Sequence, residues 1–239
     1  MLKITNLSKA YAKSNIYAVR NLTLELKKGE IFGFLGPNGA GKTTTIKAIT
    51  GILPYELGEI QICGFDLKTE PLKAKQNFGY VSDNHIIYDK LTGREYVNFM
   101  ADIYKVSLAD RKERSQRMLE VFKLTDSYDA QIRTYSHGMK QKIHIIGAMI
   151  HKPPLWILDE PMTGLDPQSN FELKELMRGH CNDGNNVFFS THILEVAERI
   201  CDRIGIIVKG QLVSVGTMEQ LKNSKDMSLE QIFLELAKN

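Results

Sequence analysis

Apolar and polar residues alternate at the start of the chain, in Leu2-Lys3-Ile4-Thr5-Asn6-Leu7 and again in Ala18-Val19-Arg20-Asn21-Leu22-Thr23-Leu24-Glu25-Leu26. A period of two predicts half-buried strands. The polar stretch 9–15 between them predicts a hairpin, and Lys27-Lys28-Gly29 a turn. The pattern then becomes continuous. Ile31-Phe32-Gly33-Phe34-Leu35, Phe78-Gly79-Tyr80-Val81, Leu155-Trp156-Ile157-Leu158 and Val187-Phe188-Phe189 are short apolar runs. Such runs predict strands covered on both faces, as in a parallel sheet. Residues 58–64 predict another short strand, and 71–77 one or two helical turns. Residues 203–208 and 211–215 predict a hairpin around Lys209-Gly210, and short helices begin at Thr217 and Ser228.

Between 91 and 150 the period changes to that of a helix. Tyr96, Phe99, Met100, Ile103 and Tyr104 recur at helical spacing, then Met118, Leu119, Phe122 and Leu124. The charge run Asp110-Arg111-Lys112-Glu113-Arg114 between them reads as a solvated helix face. A long helix runs from Ser136, its N-cap, to Ile150, and Pro153-Pro154 closes it. The expected organisation is one domain over 1–239. Residues 1–90 and 151–239 form its core, and about 91–150 an inserted helical part.

The 239 residues carry a formal net charge of only +3. That is too little to argue for a nucleic-acid partner, and none is expected. No apolar run approaches the ~20 residues that cross a bilayer. The start lacks the apolar core of a signal peptide, so a cytosolic chain is expected. Cys63, Cys181 and Cys201 are few and widely spaced. They read as core residues in a reducing compartment, without zinc-ligand spacing.

The stretch Gly36-Pro37-Asn38-Gly39-Ala40-Gly41-Lys42-Thr43-Thr44 fits G-x-x-x-x-G-K-[ST]. An apolar strand precedes it and a helix from Lys42 to about Thr50 follows, which is the context the motif requires. Glycines let successive N–H groups turn into one concavity, and the helix start adds its unpaired N–H groups and dipole. Lys42 is placed to reach outer phosphates, the Thr43 hydroxyl to hold Mg²⁺, and Thr44 to bond an inner phosphate. Tyr11 either stacks on a purine ring or packs in the first sheet.

Asp159 and Glu160 end the apolar run 155–158, at the strand end where open α/β sheets place ligands. Successive strand residues point to opposite faces, so the two carboxylates have different tasks. Asp159 suits Mg²⁺, and Glu160 a water aimed at the γ-phosphate. Asp166 is expected to cap a helix starting at Pro167. His192 follows the last buried strand; it either contacts the γ-phosphate or caps the next helix. Ser136 and Gly138 open a helix and offer a second anion site.

Taken in order, these residues resemble the ATP-binding subunit of ATP-binding cassette (ABC) transporters over nearly the whole chain. Residues 36–44 resemble the Walker A motif, and 155–159 Walker B with Glu160 as the catalytic carboxylate. Residues 163–167 resemble the D-loop, His192 the switch histidine, and Tyr11 the base-stacking aromatic. Two positions depart from the family. Its signature, usually Leu-Ser-Gly-Gly-Gln, is Tyr135-Ser136-His137-Gly138-Met139 here. Asp83 stands where the family has a glutamine near Mg²⁺ and water. The set is most similar to the bacterial exporter-like (ABC-2-type) subfamily.

The resemblance implies an α/β P-loop NTPase core, a mostly parallel sheet flanked by helices. An antiparallel N-terminal β subdomain and an inserted helical subdomain complete it. It implies an ATPase using ATP and Mg²⁺, with Lys42, Glu160 and His192 catalytic. It also implies an integral membrane transporter subunit and a second ATP-binding subunit, in a homo- or heterodimer that closes head to tail on two ATP molecules. The location implied is the cytoplasmic face of the membrane. The membrane subunit is expected to dock along 83–88. A soluble ABC ATPase acting on ribosomes or nucleic acid is the alternative, as is a regulatory module with a degenerate site.

Overall fold

The structure is a computed structural model and describes residues 1–11, 16–83, 88–222 and 228–238. The hairpin turn expected within 12–15 and the docking stretch 84–87 lie outside the described residues.

The alternating segments form β1 (Leu2–Ala10) and β2 (Tyr17–Glu25), which pair antiparallel. With β4 (Leu57–Ile62) and the two-residue β5 (Phe65–Asp66) they make an antiparallel sheet of order β2-β1-β4-β5. The alternation buries Leu2, Ile4, Leu22 and Leu24 on one face, as the period requires.

The continuous runs form the second sheet. These are β3 (Ile31–Leu35), β6 (Phe78–Val81), β7 (Leu155–Asp159) and β8 (Asn186–Thr191), joined by β9 (Arg203–Val208) and β10 (Gln211–Gly216). Their order is β10-β9-β3-β8-β7-β6. All neighbours pair parallel except β10, which returns antiparallel on β9. Every residue of β3, β7 and β8 is buried, because helices cover one face of this sheet, and further helices together with the first sheet cover the other.

The helix α1 (Lys42–Ile49) follows β3, and α2 (Pro71–Gln76) precedes β6. Between β6 and β7 the chain is helical: α3 (Gly93–Ile103), α4 (Leu108–Val121), two short 3-10 turns and α5 (His137–Met149). Thr92 and Glu95 close a capping box on α3, and Ser107 caps α4. The apolar faces of these helices join one cluster with Trp156, Leu158 and Phe189 of the parallel sheet. The chain ends with α6 (Pro167–Asn182), α7 (Leu194–Ile200), α8 (Met218–Lys222) and α9 (Leu229–Lys238). This is the α/β architecture expected above. The pairing of β4 and β5 with the N-terminal strands is the part that the sequence reading lacked.

Candidate functional site

Register brings the site together. In the parallel sheet Leu35 pairs with Thr191, Asp159 with Ser190, and Val81 with Leu158. The residues that follow these strand ends therefore share one edge: Gly36 after β3, Glu160 after β7, His192 after β8, and Asp83 two residues after β6. A cleft of about 320 Å³ opens there, lined by Tyr11, Pro37, Asn38, Gly39, Gly41, Lys42, Thr43, Thr44, Asp83 and Glu160. A neighbouring hollow of about 300 Å³ adds His137, Thr163 and His192.

The loop 36–41 turns back on itself through two glycines at positive φ, Gly39 at 79° and Gly41 at 108°. At Gly41 a Cβ would lie 2.5 Å from the carbonyl oxygen of Ala18, so a side chain there would push β2 away. Gly36 is as tight, with a Cβ 2.6 Å from the Ile207 carbonyl oxygen and 3.1 Å from the Cβ of Ala40. Gly41 caps α1 without a side-chain acceptor, and the first turn of α1 holds no acidic residue. The first-turn N–H groups are thus left for an external anion.

Lys42 is almost fully buried and folds over the loop. Its Nζ donates to the carbonyl of Gly36 at 2.7 Å and lies 3.3 Å from Glu160 Oε1. The other carboxylate oxygen of Glu160, Oε2, is 3.0 Å from His192 Nδ1. Glu160 has φ of 49°, a left-handed conformation costly for a residue with a side chain. Its N–H donates to Ser190 Oγ at 3.0 Å, which helps hold that turn.

Asp159 faces the other way and is fully buried. Its Oδ1 accepts from Ser190 Oγ, while Oδ2 has no hydrogen-bond partner. Burial pushes its pKa up from the ordinary value. Hydrogen bonding from Ser190 and Thr43 works against this, and the charges of Asp83 and Glu160 add to it. A buried carboxylate beside the Thr43 hydroxyl, with an oxygen unpaired and two more carboxylates near, suits a divalent cation. Among the described residues no group of three or more His, Cys, Asp or Glu side chains could hold a metal alone. A cation held here would need ligands besides His, Cys, Asp and Glu side chains, such as the Thr43 hydroxyl.

Tyr11 is half exposed at the rim, with its hydroxyl 3.1 Å from Thr44 Oγ1 and Lys9 Nζ 5.9 Å from its ring centre. Its ring is not part of the buried core beneath the first sheet.

Ser136, Gly138 and Asp166 line neither hollow. Ser136 caps α5, accepting the N–H of Met139 at 3.3 Å. Asp166 caps α6 through Ser169 and pairs with Lys142 at 3.3 Å. Hydrogen bonding to the Ser169 hydroxyl and N–H holds its pKa well below the ordinary value. His192 caps no helix; Ile193 precedes α7 without a side-chain cap. Tyr88 meets Phe99 of α3 edge-on, with ring centres 5.4 Å apart.

Sequence reasoning missed two supports. Ser190 ties Asp159 to the Glu160 backbone, and its only sequence signal was a polar residue ending an apolar strand. Gln141, buried in α5, donates to the carbonyl of Pro161 at 3.1 Å and anchors that helix to the turn after Glu160. Nothing in the helical period marked it.

A phosphate cradle at one sheet edge, faced by a lysine, a carboxylate pair and a histidine, defines a nucleoside-triphosphate hydrolase of the phosphate-loop class. The ABC transporter family model matches residues 19–163. The chain is 41% identical to the linearmycin resistance ATP-binding protein LnrL of Bacillus subtilis, over 92% of this chain and 70% of that protein. It is 32% identical to the ABC transporter ATP-binding protein NatA of the same species, over 98% and 97%. A solved ATP-binding subunit of an ABC transporter superposes with a TM-score of 0.94 at 33% identity, covering 99% of both chains. A dimeric ATP-binding cassette in a post-hydrolysis state with ADP and Pi superposes with a TM-score of 0.82 at 25% identity, over 91% of this chain and 99% of that one.

The chain belongs to the ABC transporter family. It is an ATP-binding, ATP-hydrolysing subunit of the kind that powers membrane transport. Such subunits dimerise and work with membrane subunits. No helix among the described residues is long and apolar enough to cross a membrane.

Proposed function

We propose that this chain drives an exporter from the cytoplasmic face of the membrane, as one of two ATPase subunits bound to an integral membrane partner. The observation that carries the catalytic reading is Glu160, held at the mouth of the phosphate loop between Lys42 and His192. ATP enters with its phosphates in the loop 36–44 and its adenine on the open face of Tyr11. Lys42 exchanges its contacts to the loop carbonyls and Glu160 for phosphate oxygens. Freed of that ion pair, Glu160 accepts the proton of the water that attacks the γ-phosphorus, and ADP leaves. His192 steadies Glu160 and the γ-phosphate. Thr43 and Asp159, with Asp83 nearby, would hold Mg²⁺, which supplies neutralisation of phosphate charge.

Ser136 and Gly138 stand away from the cleft of their own chain and serve the site of a second copy, with Asp166 near the junction. The helix start at Ser136 then completes the donor set around the γ-phosphate. Names of relatives support the export direction: one is a linearmycin resistance protein, another a probable multidrug ABC transporter protein of Escherichia coli. Residues 91–150 act as the helical subdomain that moves against the core, and Asp83 reports nucleotide state along the stretch leading to Tyr88.

Mixing two inactive variants tests the shared site. Ser136→Arg blocks closure and Lys42→Ala weakens ATP binding, so each alone is inactive. Their mixture regains part of the ATPase activity, because one of its two composite sites is intact. Absence of rescue at every mixing ratio refutes the composite site.

A further inference from the structure

A hollow of about 510 Å³ shares no lining residue with the phosphate-loop cleft or the hollow beside it. It opens between α4, the end of α5 and the C-terminal half of α6, over the first residues of β7. Its wall is apolar where Met118, Val121, Met149 and Leu176 meet. At its floor stands Trp156, fully buried, whose Nε1 has no hydrogen-bond partner. His180 lines the same hollow with its ring edge-on to the indole, centres 6.0 Å apart, and its Nε2 is also buried and unpartnered.

An unpaired buried indole N–H is costly, and native chains rarely leave one without a reason. A lone bridging water fills only a small part of 510 Å³. Trp156 needs an acceptor, since its N–H can only donate. Burial lowers the pKa of His180 to about 4, so the ring is neutral at pH 7 and Nε2 accepts or donates according to tautomer. A hydroxyl meets both demands in either tautomer. The rim carries both signs, Glu113 and Asp183 against Arg117 and Lys152, and so favours no ligand charge.

We propose that this hollow binds a small uncharged amphiphile, with its hydroxyl between Trp156 Nε1 and His180 Nε2 and its apolar body along Met118, Val121, Met149 and Leu176. The volume is that of a ligand site. The occupant bridges α4 of the inserted helices and α6.

Trp156 is the one tryptophan of the sequence, so its emission reports the site directly. The full chain is titrated with 1-octanol and, separately, with octanoate. A saturable change in Trp156 emission is expected with octanol, at concentrations where octanoate gives less. Gly179 in α6 lines the hollow, and a Cβ built there meets nothing within 4 Å. Gly179→Phe therefore has room for its Cβ and puts a ring where the occupant would lie; it is expected to melt no lower than the parent, keep its ATPase activity and lose the octanol response. His180→Phe keeps the ring but removes the acceptor, and weakens octanol binding about tenfold. A response that is linear, that survives both substitutions, or that is stronger with octanoate overturns the proposal.

Discussion

Replacing Ser190 by alanine removes one hydroxyl and breaks two contacts at once. The hydroxyl donates to Asp159 Oδ1 and accepts the N–H of Glu160 at 3.0 Å. Ser190 and Asp159 are both fully buried, so water does not easily replace it. Losing a hydrogen bond to a carboxylate costs about 1.5–3 kcal/mol, and an orphaned buried amide about 1–3 kcal/mol. Together Ser190→Ala costs about 3–5 kcal/mol, which for a domain of this size lowers Tm by about 6–20 °C. Glu160 also loses the tether that helps hold its left-handed turn. A shift of its carboxylate by about 1 Å lowers kcat by about 100-fold, with KM for ATP little changed. Thermal unfolding without nucleotide and steady-state ATP hydrolysis measure the two effects. A variant within about 1 kcal/mol of the parent, with unaltered kcat, would show that Ser190 organises neither carboxylate.

The Asp159 carboxyl titrates above 3.8 because burial disfavours its charge. In the window just above 3.8 the folded chain keeps a proton that the unfolded chain has lost, so stability falls as pH rises through it. Asp159→Asn removes this penalty: the nucleotide-free variant is more stable than the parent at pH 7, the gap closes below pH 3.8, and hydrolysis is lost. Chemical denaturation across pH checks the first part. Lys42→Ala weakens ATP binding in calorimetric titration, because the charge on the outer phosphates is lost, and wild-type affinity would move the site elsewhere. Tyr11→Ala weakens ATP binding by about 1–3 kcal/mol while Tyr11→Trp retains it; equal affinities would reduce Tyr11 to a packing residue.

Much of this was legible in the chain because its signals are local. Continuous runs gave the buried strands, and the glycines and Lys42 gave the phosphate loop. The carboxylates after Leu158 fell at a strand end, where ligands bind. Register was not legible. That Asp159 sits opposite Ser190, and Leu35 opposite Thr191, depends on strand order, which no window of sequence contains. The left-handed φ of Glu160 was hidden too, since nothing in Asp159-Glu160-Pro161 requires it. Gln141 and the unpaired Trp156 are long-range facts: each is defined by an element more than ten residues away. The sequence leaves His192 between two roles, and the geometry gives it contact with Glu160 rather than a helix cap.

In the proposed cycle Glu160 takes the proton from the attacking water in a site closed by two chains. Glu160→Gln keeps the shape and a contact to His192 but cannot accept that proton. ATP hydrolysis and particle size in the presence of ATP are measured on this one variant. ATP still binds, turnover falls by about 10²–10⁴-fold, and the chain accumulates as an ATP-bound dimer. Steady-state hydrolysis at the parent rate, with the variant monomeric in ATP, would contradict the account.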